Sequence, residues 1–196
     1  MGNICFFGQR KLSPAEAPLL EEELERLALR LAGYGPVWFL TGGAPGFETL
    51  AARGVLRARR SRPGIRLALV LPCEGQTWGW SAADAAAYRE IFAQADSRFF
   101  LARGYYPGCI QRQGRWMVDR CGLCVCRFSA GAPGGHTGQL VAYARRRGVP
   151  VLCLGALGPG REQLPGPARP MRGLTTSRPA EYNMTCQNNA NKRRWE

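Results

Sequence analysis

The sequence predicts an α/β domain over residues 1–156, a Rossmann-like three-layer sandwich on a mostly parallel sheet of about six strands, followed by a disordered tail over 157–196. Three observations carry this expectation. Short apolar runs alternate with longer segments of helical period, the pattern of a parallel sheet covered on both faces. Glycine-rich turns close several of the apolar runs, at the strand ends where such sheets hold ligands. All apolar periodicity stops at Leu154.

The elements follow in order. The first strand is Ile4 to Phe7, closed by Gly8-Gln9-Arg10. Pro14 opens a helix whose Leu19, Leu20, Leu24, Leu27 and Leu31 recur at three- and four-residue spacing, ending at Gly33 and Gly35. Val37 to Leu40 is the second strand and runs directly into Thr41-Gly-Gly-Ala-Pro-Gly-Phe-Glu48, the start of an alanine-rich helix reaching Arg60. Arg66 to Leu71 is the third, stopped by Pro72. Ser81 is placed to cap a helix to Ala95, with Asp84 at its third position. A short strand, Arg98 to Leu101, precedes a loop over Gly104 to Gln113 and a short helix from Arg115 to Arg120. The fifth strand is Leu123 to Phe128, the loop Gly131 to Gly138 feeds a helix to Arg147, and Val149 to Leu154 is the last strand. Beyond it, Gly-Pro-Arg repeats and an Asn-rich stretch bury too little surface to offset their ordering entropy.

No run approaches the roughly 18 apolar residues that a membrane span requires, and the first residues carry neither a basic start nor a cleavage site, so a soluble, cytoplasmic protein without a membrane partner is expected. The net charge of +13 rests almost wholly on arginine, since Lys11 and Lys192 are the two lysines. That excess favours an anionic partner: a small phosphate ligand, an acidic protein or nucleic acid. Cys5, Cys124, Cys126 and Cys153 fall inside strand patterns, where a reduced thiol acts as a small hydrophobe. Cys121 and Cys124 have the spacing of a metal or redox pair, but no second pair follows and His136 is the one histidine, so no metal site is expected.

Glycines at strand ends let a backbone approach phosphate oxygens, and the N–H groups of the following helix attract them. Gly42, Gly43 and Gly46 form one such loop, and Gly134, Gly135, His136, Thr137 and Gly138 a second. Arg10 is placed to pair with a phosphate or carboxylate, or else to lie solvated at the surface. Glu48 either complements the helix dipole or accepts hydrogen bonds from a ribose. Trp78 and Trp80 are candidates to stack on a base or to pack over the sheet edge. No Ser–His–Asp order or paired-carboxylate signature assembles, so no reaction is named and catalytic residues stay unassigned.

The motifs together resemble a family. Phe7-Gly-Gln-Arg-Lys-Leu12 is similar to its first-strand signature, Thr41 to Ala52 to its glycine-rich segment, and Leu69-Val-Leu-Pro-Cys73 with Gln76 and Trp80 continues the match. Gln94-Ala-Asp96, Tyr106-Pro-Gly-Cys109 and Arg115-Trp-Met-Val-Asp119 also fit. On these residues the chain resembles the YpsA-like branch of the SLOG superfamily, a Rossmann-like group that also holds the Lonely Guy phosphoribohydrolases and the DNA-processing protein DprA. The resemblance implies binding or sensing of a nucleotide or nucleotide-derived small molecule by Gly8, Gln9 and Arg10, by Gly42 to Glu48 with Trp80 and Arg115, and by Gly134 to Thr137. It implies no other cofactor. Gln9, Glu48 and Gly114 stand where the family pattern has His, Asp and Asn, and Pro133-Gly-Gly-His-Thr-Gly-Gln-Leu140 lacks the glutamate of the phosphoribohydrolase motif. A nucleotide-processing N-glycoside hydrolase and a DprA-like nucleic-acid binder are the alternatives, and a homo-oligomer is left open.

Overall fold

A computed structural model describes residues 2–33, 35–127 and 135–155. Its strands are β1 (Ile4–Gly8), β2 (Val37–Thr41), β3 (Ile65–Leu71), β4 (Ser97–Phe100), β5 (Leu123–Arg127) and β6 (Val151–Cys153). Its helices are α1 (Ala17–Ala32), α2 (Phe47–Ser61), α3 (Ala82–Gln94), α4 (Cys109–Val118) and α5 (His136–Arg146). Every strand pairing is parallel, in the order β4-β3-β2-β1-β5-β6. The chain therefore winds outward from β1 to β4 and then crosses back to add β5 and β6 on the other side. The switch point lies between β1 and β5, where a doubly wound sheet opens a crevice at its carboxyl edge.

The two faces bury different sets. On one, Phe6, Phe39, Leu67 and Leu69 pack against Leu24 and Leu27 of α1, Ala51 and Val55 of α2, and Ile91 of α3. On the other, Cys5, Phe7, Leu40 and Val70 meet Met117 and Val118 of α4 and Leu140 and Ala144 of α5. Alternate residues along each strand thus feed opposite layers, as a pleat requires.

Several boundaries differ from the sequence expectation, each for a local reason. Pro18 fills the first turn of α1, so the helix starts at Ala17 rather than Pro14, and Leu19 points outward at 60% exposure while Leu20 is buried. The expected loop to Gln113 ends at Gly108: its left-handed φ of 93° caps α4, which begins at Cys109, six residues before Arg115. Ser81 caps α3 as expected, accepting from the Asp84 N–H at 3.1 Å. Phe128 and Gly131 to Gly134 lie outside the described residues, as does the tail expectation for 157–196.

The Cys121–Cys124 pair has a neighbour in the fold. Parallel pairing sets Cys5 of β1 directly opposite Cys124 of β5. The Cys121–Cys124 pair therefore has a third thiol beside it, which sequence spacing across more than a hundred residues did not reveal.

Candidate functional site

A cleft of about 1080 Å³ opens over the carboxyl ends of β1, β2 and β3. Gly8, Gln9 and Arg10 line it from the end of β1, Ala44 and Glu48 from the β2–α2 turn, and Gly135, His136 and Thr137 from the start of α5. The segment after β3, from Pro72 to Trp80, forms a third wall with Arg103 and Tyr105, since the Glu74 N–H donates to the Ala102 carbonyl at 3.2 Å. Gln113, Gly114 and Met117 of α4 close the base.

The β2–α2 turn differs from an open phosphate cradle. Glu48 folds back so that its Oε2 accepts the N–H groups of Gly42 at 2.9 Å and Ala44 at 3.3 Å, with the Thr41 hydroxyl also at 3.3 Å. The N–H groups that would meet an external anion there already hold an internal one. Burial pushes the Glu48 carboxyl up to about 7 from 4.5, outweighing these hydrogen bonds and the nearby positive charge of Arg10. The α2 N-terminus is further occupied by the Gln9 carbonyl, which accepts the Phe47 N–H at 3.1 Å.

The glycines around this turn serve close packing. A Cβ at Gly8 would lie 2.5 Å from the Phe47 ring. At Gly46, with φ of +85°, it would collide with the Arg10 carbonyl, and at Gly42 with Gln113. Gly43 has φ of +69° and donates its N–H to the Thr41 hydroxyl at 3.3 Å. Gly42, Gly43 and Gly46 therefore shape the turn without lining the cleft.

At α5 the opposite holds. Gly135 occupies its N-cap, and among the described residues no side chain caps it and no acidic residue stands in its first turn. Its positive end meets the cleft through His136 and Thr137, and the Arg10 charge reaches His136. Partial burial and the Arg10 charge lower the His136 pKa, so its ring is neutral at neutral pH.

Of the remaining sequence candidates, Trp80 lines the cleft with its ring edge-on to Tyr88, at 5.5 Å between centroids. Trp78 stands at the mouth, 66% exposed. Arg115 does not join them: it is exposed on α4 with its guanidinium over the Tyr143 ring. The α4 helix turns it outward because Gln113 and Met117, four residues apart, take the buried face. Gly134 lies outside the described residues.

Sequence reasoning missed three supporting groups. Gln113 is buried and donates to the Val70 carbonyl at 2.7 Å, tying α4 to the end of β3. Gln76 donates to the Gly42 carbonyl at 2.9 Å, joining the β3 wall to the β2 turn. Arg127 is buried at the end of β5, paired with Glu16 at 2.8 Å and donating to the Gly155 carbonyl. The amphipathic spacing of Cys109, Gln113 and Met117 was a readable signal for the first, and Gln76 falls in a motif that matches the family; the partners of Arg127 had no local signal.

Comparison with known proteins agrees with this architecture. The chain is 25% identical over 130 residues to a UPF0398 protein of Halalkalibacterium halodurans, covering 65% of this chain and 69% of that protein. It is 28% identical over 106 residues to a UPF0398 protein of Staphylococcus epidermidis, covering 53% of this chain and only 56% of that relative. Among solved structures it is similar to DNA processing protein A from Helicobacter pylori, described there as binding single-stranded DNA, with a TM-score of 0.51 and 16% identity over 82% of this chain and 66% of that one. It is similar also to the protein TM1055, with a TM-score of 0.51 and 18% identity over 77% of this chain and 72% of that one. Residues 4–151 match the family model described as YspA SLOG, and with three quarters of the sequence so covered the chain belongs to the YspA SLOG family (YpsA).

Proposed function

We propose that the cleft binds a nucleotide or nucleotide-derived small molecule, so that the protein acts as a binding or sensing module. One observation carries this reading: a single cleft joins Arg10 and the uncapped N-terminus of α5 to a wall bearing Trp78 and Trp80. A cation and a turn of N–H groups suit a phosphate. Indole faces suit a base. The cleft volume lies just above the roughly 300–1,000 Å³ of small-molecule sites, ample for a nucleotide. Because Glu48 fills the β2–α2 turn, the phosphate is assigned to α5 and the ribose to the neighbourhood of Glu48.

Calorimetric titration with nucleoside mono- and diphosphates and ADP-ribose tests the reading. Arg10 forms one charge-assisted pair with the phosphate, worth about 1.5–3 kcal/mol, so Arg10→Ala should weaken binding about 10- to 150-fold. A panel in which nothing binds, or a ligand bound equally by both proteins, would reject it.

A second reading is favoured by Glu48, whose carboxyl, titrating at about 7, is suited to general acid–base work in hydrolysis of an N-glycosidic bond. The phosphoribohydrolase glutamate has no counterpart, since Leu140 and Val141 are buried where α5 meets the core. Release of free base from nucleoside monophosphates, abolished in Glu48→Gln, would establish this second reading; no release would remove it.

A further inference from the structure

On the opposite face of the sheet from α1, α2 and α3, the sulfurs of Cys5, Cys121 and Cys124 form a closed triangle with sides of 3.2, 3.4 and 3.5 Å. All three residues are buried, and they share an apolar layer with Met117, Val118 and Ala144. Among the described residues no other cysteine, histidine or carboxylate completes the group. We infer that this triangle is a three-coordinate site for a soft monovalent d10 cation, Cu(I), independent of the ligand cleft.

Thiolates select soft cations, Cu(I) and zinc foremost. Structural zinc takes four protein ligands and catalytic zinc keeps a water. A buried triad with apolar walls supplies neither, whereas Cu(I) is satisfied by three sulfurs. Each sulfur lies about 1.9 Å from the centre of the triangle, so reaching a metal–sulfur distance of about 2.3 Å needs an outward shift of only about 0.4 Å. On binding, the three thiol protons leave to solvent and each sulfur coordinates as a thiolate; no electron is transferred. The thiol pairs Cys126–Cys153 and Cys73–Cys109 offer two sulfurs each, which makes coordination number a signature of the triad.

The test uses the full chain, reduced and anaerobic, titrated with Cu(I) delivered from a chromophoric chelator, with Zn(II) in a parallel titration. One equivalent of Cu(I) should be withdrawn from the chelator in preference to Zn(II), and copper X-ray absorption should show three sulfurs and no lighter ligand. Cys5→Ala should lose that equivalent, while the double variant Cys126→Ser/Cys153→Ser should retain both the equivalent and the three-sulfur shell. A two-sulfur shell, zinc bound as tightly as copper, or loss of copper in the double variant would overturn the assignment. The absorption measurement on the unmutated chain decides the matter even where Cys5→Ala fails to fold.

Discussion

At the scale of single residues, Glu48 determines how the cleft responds to pH. Its carboxyl titrates at about 7 in the fold against an ordinary 4.5, so between these values the folded chain holds a proton that the unfolded chain has released. The stability this contributes is fully present below pH 4.5, declines as pH rises, and is lost above 7. The span corresponds to at most about 3 kcal/mol. Glu48→Gln removes this titration, so the stability of the variant relative to the unmutated protein should rise between pH 4.5 and 7.5; urea unfolding at both pH values measures it. A difference independent of pH would mean that the carboxyl titrates normally. Arg10 is a separable case, because it is exposed at the cleft wall. Its truncation should cost binding while leaving the melting temperature nearly unchanged, since one exposed cation adds little to folding. Gly43→Val offers no such separation: at φ of +69° a β-branched residue is strained, so lost binding there would be entangled with lost stability.

At the scale of elements, what the sequence makes legible is what periodicity and punctuation encode. The parallel α/β alternation, the Ser81 cap and the buried stripe from Leu20 to Leu31 all follow from local pattern. The start of α4 was hidden because Tyr106-Pro-Gly108 reads as a loop, although the same glycine serves as a helix N-cap. The fate of the Gly42 and Ala44 N–H groups was hidden for another reason: whether Glu48 turns inward depends on the space left by Gln113, which comes from a different element. Contact between elements also explains Gly54. A Cβ there would stand 2.9 Å from the Glu25 backbone nitrogen in α1, so the α1–α2 pair is set by this glycine. Gly54→Ala gains about 1 kcal/mol of helix propensity but forces a backbone shift costing about 1–3 kcal/mol, and should be neutral to destabilising by up to about 2 kcal/mol. Gly104→Ala, with nothing within 4 Å and no positive φ, should be neutral; denaturant midpoints compare the two. A clearly stabilised Gly54→Ala would show that α1 and α2 separate without cost.

At the scale of the whole molecule, the question is whether the +13 charge forms a nucleic-acid surface. Ion pairing fixes where many of the arginines point but does not reduce this excess, because the carboxylates are already subtracted in it. Arg53, Arg57, Arg59, Arg66, Arg127 and Arg147 pair with carboxylates, and Arg98, Arg115, Arg120 and Arg146 lie over aromatic rings. Among the described residues the cleft itself is lined by two arginines, Arg10 and Arg103. Counterion release makes the logarithm of affinity for a single strand fall against the logarithm of salt with a slope of about −0.7 per neutralised phosphate. A lone nucleotide carries no condensed counterion layer to release, so its affinity for the cleft falls only shallowly with salt. A protein that grips a strand over many phosphates would give a slope several times steeper, and would lose only a small fraction of its affinity in Arg10→Ala. Titrations of a bound nucleotide and of a single-stranded oligonucleotide between 50 and 200 mM salt, an interval across which about 300-fold or more is lost when six or more phosphates are contacted, separate the two cases. The expected result is a shallow slope for the nucleotide and weak oligonucleotide binding; tight oligonucleotide binding with a steep slope would reassign the basic surface to nucleic acid.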